Sequence, residues 1–377
     1  MRLFYLLSIL FVLQSVNLHA QSQKLLPFTL NGTINADIGT IELRLLQDPS
    51  FYPEALRNLT APVKNRQFTF SGYLPSPQGF QLLYSDNYVS GEFVIEAGKQ
   101  AVHFNIDSSF QTPHVQNVAM KEYEQEYLPA FKQVRQDRNL LNKKRDSLNR
   151  VYERKLPASV NLSLERERKE QYKKNDETLL AYVKTHPNSQ FAFWKFAYLL
   201  NFGYELIFDT IYYHFSSPIK GSYAGKVLAD RLATASILSI GKPFPSFPVV
   251  DKQANNYSTA SFSKATYTLV DFWYSNCAPC VAQFHELKTI YDTYKSKGFE
   301  IIGISTDKPA HKEAWQRIIA KYELVWPQYW DVAGKEANKL SINAFPTNVL
   351  LDKNGKIVKK NIKPAELNQF LSEQSSE

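Results

Sequence analysis

Apolar and polar positions alternate with period two in several N-terminal stretches. Ile41, Leu43 and Leu45 alternate with Glu42 and Arg44, Phe68 and Phe70 flank Thr69, and Val102, Phe104 and Ile106 alternate with His103 and Asn105. Gly32, Gly72, Gly79, Gly91 and Gly98 punctuate these runs. Alternation between turn residues predicts short antiparallel strands over residues 25–115, arranged as a sandwich with one wet face per sheet. His103 falls on the polar side of its strand and reads as a surface histidine.

The period changes over residues 116–236. "AFKQVRQDRNLLNKKRDSLNRVYERK" favours helix, with Leu141, Leu148 and Val151 on a shared stripe, and "LERERKEQYKKNDETLLAYVKTHPNS" is a second such stretch. Pro187 breaks it, and Asn188 or Ser189 is placed to cap a helix beginning near Gln190. The apolar run Phe191 to Tyr198, interrupted by Lys195, is short and reads as a buried helix. The apolar spacing is too irregular for a sustained coiled coil.

"IGKPFPSFPVVDKQANNYS" marks a boundary through its Gly and Pro residues. Beyond it, over residues 240–377, strands and helices alternate. "YTLVDFW" and "FEIIGIS" read as buried strands. Between them, Val281, Phe284, Leu287, Ile290, Tyr291 and Tyr294 form a helical stripe closed by Gly298. Pro309 opens a helix running to about Tyr322, "TNVLLD" is a third strand, Asn354-Gly355 turns the chain into "KIVKKNI", and Pro364 starts a final helix. The β-α-β beginning implies parallel strands, and the Asn-Gly turn adds an antiparallel one.

Charge changes this picture little. The 44 Lys and Arg against 36 Asp and Glu give a net charge of +8, but the basic residues concentrate between Lys132 and Lys174, where they coat the helical region. A solvated helical face accounts for the excess, and no nucleic-acid motif accompanies it. At the N-terminus, Arg2, the apolar run Leu3 to Leu13 and the small residue Ala20 form a secretory signal pattern over residues 1–20. The run is short against the roughly 20 residues of a membrane span, and it carries no cysteine, so cleavage near Gln21 and no cysteine-linked lipid anchor are expected.

The chain has two cysteines, and both lie in "DFWYSNCAPC". Cys277 falls just past a strand and Cys280 in the first turn of the next helix, with Pro279 between them. A thiol at a helix N-terminus meets unpaired N–H groups and the positive end of the helix dipole, which favour thiolate. Thiolate attacks disulfides, and a second sulfur three residues further on can displace the first from a mixed disulfide. A structural crosslink closing so short a loop adds little, and a zinc site needs about four ligands, for which no second Cys pair or His-x-x-x-His spacing exists.

"LVDFWYSNCAPC", "FEIIGIST" and "AFPTNVLLDKNGKIV" resemble the thioredoxin-fold domain of exported bacterial thiol–disulfide oxidoreductases of the TlpA/ResA type, an AhpC/TSA-like module. The resemblance spans about Ile240 to Leu371. It implies an α/β thioredoxin fold at the C-terminus, preceded by an antiparallel β domain and a helical linker domain such as often precede this module. It implies a cis-proline at Pro346, opposite the dithiol, with the backbone of Phe345 offered to an extended substrate, and Asp271 as the buried acid that relays the proton of the second cysteine. Trp273 joins Pro346 and Phe345 as a substrate-side candidate, with packing as its alternative role. Protein disulfides or dithiols are the implied substrates, an envelope or membrane electron donor or acceptor the implied partner, and no cofactor or metal is required. Asn276 stands where many relatives have tryptophan, Ala278 where thioredoxin has glycine, and Gln283 where the TlpA/ResA group usually has glutamate.

Two other functions are set beside this one. A peroxiredoxin shares the fold, but its peroxidatic cysteine needs Thr or Ser three residues earlier and Pro four before that, where this chain has Tyr274 and Val270. An envelope binding or scaffold protein with secondary redox activity is the other alternative.

Overall fold

The computed structural model describes residues 25–53, 56–85, 87–108, 110–259 and 265–375. The expected signal segment lies outside the described residues.

The N-terminal alternation becomes nine strands: β1 (Leu26–Ile34), β2 (Ile38–Leu45), β3 (Leu59–Lys64), β4 (Gln67–Leu74), β5 (Gln78–Tyr84), β6 (Tyr88–Val89), β7 (Phe93–Ile95), β8 (Gly98–Phe104) and β9 (His114–Val115). Ile41, Leu43, Phe68, Phe70, Val102 and Phe104 are buried, as period two requires when one face meets the core. The strands join one sheet in the order β6-β5-β2-β3-β4-β1-β8-β9, with β7 on β5, rather than the two facing sheets of a sandwich. β1 is the reason: it pairs antiparallel with β4 on one side and parallel with β8 on the other, which makes the ladder continuous. Helices pack against this sheet at β5 and β7 and share its apolar cluster.

The helix Gln190–Leu199 supplies much of that packing. Ser189 caps it, its hydroxyl accepting from Ala192 N at 3.2 Å, and Phe191, Phe193, Trp194 and Phe196 are buried. The Trp194 ring stacks on Tyr52 at 5.3 Å, and its Nε1 donates to the Pro77 carbonyl at 3.1 Å. Lys195, the one charge in the run, reaches Glu92 at 2.6 Å. One hydrophobic cluster accordingly runs from Phe28 to Ala235, through both the strands and the helices.

The helices Lys132–Val151 and Ala158–Thr185 stand side by side. The first buries only Val134. Leu141 and Leu148 are half-buried and Val151 is exposed, so the expected stripe does not build a core. Charged pairs such as Lys144–Glu167, at 2.7 Å, line the two helices instead.

Beyond the Gly/Pro boundary lies a second sheet of seven strands: β10 (Pro248–Val250), β11 (Asn256–Ser258), β12 (Tyr267–Trp273), β13 (Phe299–Ser305), β14 (Gln328–Trp330), β15 (Thr347–Asp352) and β16 (Ile357–Lys360). Their order is β11-β10-β14-β13-β12-β15-β16. β12–β13 and β13–β14 are parallel, while β12–β15 and β15–β16 are antiparallel. The interior strand β12 is buried along nearly its whole length, as its mostly apolar sequence requires. Gly355 turns β15 into β16 with φ of 73°, a left-handed conformation that glycine adopts without strain. Leu269, Trp273, Ile301 and Leu350 share one cluster with the helix Ala278–Tyr294, and Val270, Phe272, Ile302 and Val349 share another on the opposite face.

None of these residues belongs to the N-terminal cluster. A fragment beginning near Ile240 is therefore expected to fold alone. Leu238 packs in the C-terminal core at 4% exposure, so a fragment beginning at Ser236 is expected to exceed the shorter one by about 2 kcal/mol in urea unfolding. Aggregation of both fragments would show instead that the helical region is needed for this core.

Candidate active site

Strand β12 ends at Trp273, and the next four residues lead into the helix Ala278–Tyr294 with Cys277 as its N-cap. Cys277 has extended backbone, and its sulfur accepts from Cys280 N at 3.2 Å. Pro279 sits in the first turn, where its missing N–H leaves no bond unmade. Cys280 is inside that turn, and the two sulfurs are joined in a disulfide. The pair sits at the positive end of a helix 17 residues long, the environment that stabilises thiolate when the bond is reduced.

Exposure does not separate the two cysteines. Cys277 is 2% and Cys280 1% exposed, whereas position before the helix suggests that Cys277 is the more open. Tyr274 and Phe345 meet edge to face at 5.4 Å beside the dithiol loop, and both pack against the cluster that holds the cysteines. What distinguishes Cys277 is its place as the cap, where a helix N–H points at its sulfur.

The Phe345–Pro346 peptide bond is cis. Both residues are half-buried, and the ring contact with Tyr274 brings this corner to the dithiol loop. Trp273 departs from the sequence reading. It is fully buried, packs edge-on against Phe284 at 5.1 Å, and donates from Nε1 to Gln328 Oε1 at 3.3 Å. It supports the site from beneath and is closed to a substrate. Gly303 makes room for this, since a Cβ there would lie 2.2 Å from Gln328 Oε1.

Asp271 sits two residues before Trp273, so the pleat puts it on the same sheet face, under the dithiol helix. It is 4% exposed, its Oδ1 has no hydrogen-bond partner, and burial pushes its carboxyl up from 3.8 to about 7. Opposite it in the ladder stand Gly303 and Asn348. The Asn348 amide is already used, accepting from Ile362 N at 2.9 Å and donating to Ile362 O at 3.1 Å. A carboxyl poised near neutrality in an apolar layer can take or give a proton at physiological pH.

Asp307 is a site residue that motif reading missed. Its carboxylate accepts from Ser275 N at 2.9 Å, from Ser275 Oγ at 2.7 Å and from Ser305 Oγ at 2.8 Å. These bonds anchor the loop that delivers Cys277. The Trp330 indole closes the arrangement by donating to the Asp307 carbonyl at 2.7 Å. The only signal in the sequence is an acid two residues past a buried strand, a common feature of loops. Gln283 is half-buried on the dithiol helix and lines a cavity together with Pro346. His285 and His311 are exposed. Among the described residues, no cluster of His, Cys, Asp or Glu is arranged to hold a metal ion.

Known proteins share this C-terminal unit. Residues 240–360 match the model of the AhpC/TSA family. A thiol-disulfide oxidoreductase ResA of Bacillus cereus is 31% identical over 123 residues, which cover 33% of this chain and 69% of that protein. Two solved structures are also similar. The thioredoxin domain of a thiol-disulfide oxidoreductase from Bacteroides vulgatus is 30% identical, covering 37% of this chain and 99% of that one at a TM-score of 0.34. A thiol-disulfide oxidoreductase from Bacteroides fragilis is 33% identical, covering 35% and 99% at a TM-score of 0.32. An identity of 31% that spans 69% of ResA shows that the chain belongs to the ResA-type thiol-disulfide oxidoreductases and is an enzyme of thiol–disulfide exchange.

Proposed function

We propose that this enzyme reduces or exchanges disulfides of other proteins outside the cytoplasm, with Cys277 as attacking thiol, Cys280 as resolving thiol and Asp271 as proton relay. The observation that carries this reading is the capping geometry. Cys277 ends the turn after β12 and takes a helix N–H on its sulfur, while Cys280 lies one turn in, within bonding distance of it. In the reduced protein, the Cys277 thiolate attacks one sulfur of a substrate disulfide, forms a mixed disulfide and releases the other substrate sulfur as thiolate. Cys280, losing its proton toward Asp271, then attacks Cys277. This regenerates the 277–280 disulfide and frees the second substrate thiol, so two electrons pass to the substrate. A thiol donor must then return the pair to the reduced state.

Pro346 and the Phe345 backbone are the proposed contacts for the substrate chain. Their support is the cis corner and its packing against the dithiol loop. Export is supported by the charged, apolar and small-residue sequence of residues 1–20; among the described residues, no helix is long and apolar enough to cross a membrane. The test is insulin-disulfide reduction by the full chain with dithiothreitol as donor. Precipitation of the insulin B chain well ahead of a dithiothreitol blank is expected, and a rate equal to the blank would sink the proposal.

A further inference from the structure

A cavity of about 640 Å³ opens beside the cis-proline corner, between the C-terminal unit and the helical region. Its size lies within the roughly 300–1,000 Å³ of ordinary ligand sites. One wall carries Pro346 and Gln283; the other carries Tyr172 of the helix Ala158–Thr185, with Phe202 and Leu206 from the turn that follows Gln190–Leu199. The walls are tied together by polar bonds, one of them from Lys169 of the cavity lining. Lys169 reaches both carboxylate oxygens of Glu366 at 2.8 Å, and Arg166 donates to Gln369 at 2.6 Å.

Three features describe the occupant. Tyr172, Phe202 and Leu206 are 58%, 71% and 64% exposed, so large apolar side chains stand open at the mouth of a groove. An exposed apolar patch beside a site marks a surface that meets another apolar group. Gln283 is half-buried and makes no hydrogen bond from its amide among the described residues, which leaves a donor and an acceptor of the kind a peptide group satisfies. The charges on the walls have both signs, Arg168 and Lys173 against Glu165 and Glu177, so neither a polyanion nor a polycation is favoured.

We infer that this groove holds the extended polypeptide flanking the substrate cysteine, and that Tyr172, Phe202 and Leu206 select an apolar side chain there. The inference rests on the proposed exchange reaction and makes the helical region a specificity element of it. Substrates are then chains with an apolar residue close to the cysteine, presented in extended rather than packed form.

The test uses the full chain, reduced and freed of reductant, and two pentapeptides. Each carries its cysteine as a mixed disulfide with thionitrobenzoate; one has Phe and the other Ser two residues from the cysteine. Attack on the peptide sulfur releases the coloured thionitrobenzoate thiolate, whose appearance gives the rate. Rates are normalised to the same protein's rate with dithiobis(nitrobenzoate), which needs no peptide groove. The Phe peptide is expected to react about tenfold faster than the Ser peptide. The variant Tyr172→Ser, Phe202→Ser, Leu206→Ser is expected to bring the two within about twofold. Equal rates for the two peptides in the unsubstituted protein, or an undiminished preference in the variant, would overturn the inference. Absence of reaction with dithiobis(nitrobenzoate) in the unsubstituted protein would instead count against the exchange reaction itself. Should the triple variant misfold, seen as loss of its small-disulfide rate, the single variant Phe202→Ser is measured in its place and a several-fold fall in preference is expected.

Discussion

Changing Cys280 to serine is expected to trap this enzyme on its substrates, while changing Cys277 to serine traps few. The asymmetry follows from the cap. In the Cys280→Ser protein, Cys277 keeps its place before the first helical turn, with the backbone N–H of residue 280 still aimed at its sulfur. It attacks, the mixed disulfide forms, and no second thiol is present to break it. In the Cys277→Ser protein the remaining sulfur lies inside the turn, away from the cap position, and its thiolate is less stabilised. Turnover with insulin should fall to the uncatalysed rate in both variants, a loss of at least about a hundredfold for a nucleophile of this kind. The trapped species appear on non-reducing gels and vanish with dithiothreitol, and mass spectrometry then names the substrates. Accumulation in Cys277→Ser instead would reverse the assigned roles.

Asp271→Asn is expected to have the second largest effect, and it can be read in two independent ways. The first is kinetic. A relay accepts the Cys280 proton only when ionised, so the resolving step should quicken as pH rises through about 7, where burial has placed this carboxyl. The amide cannot accept a proton; that limb of the profile should disappear, with a loss of roughly a hundredfold above pH 7. The second is stability, measured on the disulfide form so that no thiol titrates. The folded carboxyl holds its proton more tightly than the unfolded one, whose ordinary value is 3.8. Between those two values the folded state binds more protons, and stability falls as pH rises. Below pH 4 both states are protonated and there is no penalty; above about 7 the penalty is complete, on the order of 4 kcal/mol for a shift of about three units. The gap between Asp271→Asn and the unsubstituted protein should therefore move in favour of the variant by that order from pH 4 to 8 in urea titrations. A gap independent of pH would remove Asp271 from the relay and leave it a buried structural acid.

These two experiments address residues that are legible in the sequence. The short-range patterns carried that information because they are enforced locally. Two cysteines at i and i+3 around a proline, after an apolar run and before a helical stripe, specify a strand–cap–helix junction by backbone chemistry alone. The β12 and β13 strands were legible because a strand buried on both faces must be mostly apolar, and Asn188 or Ser189 was legible as a cap because an unpaired helix N–H needs an acceptor within a few residues.

Other features depended on partners far away in the chain. Period two announced the N-terminal strands, yet a strand's pattern does not say which neighbour it pairs with, and the double pairing of β1 made one sheet out of an expected sandwich. The leucines of Lys132–Val151 had helical spacing, but only packing decides whether a stripe meets a core, and here its neighbour is a charged helix. Trp273 lay beside the dithiol in sequence and proved to be under it, because alternation turned its ring to the inner face where Gln328, 55 residues on, accepts its N–H. Asp307 carried no local mark, since its function is to hold Ser275 across a gap of 32 residues. The chemistry of the dithiol is local, and the sequence by itself determined it. What anchors the dithiol loop, which ring packs beside it and what lines the cavity at the cis-proline corner are contacts between distant segments, and only the tertiary structure decided them.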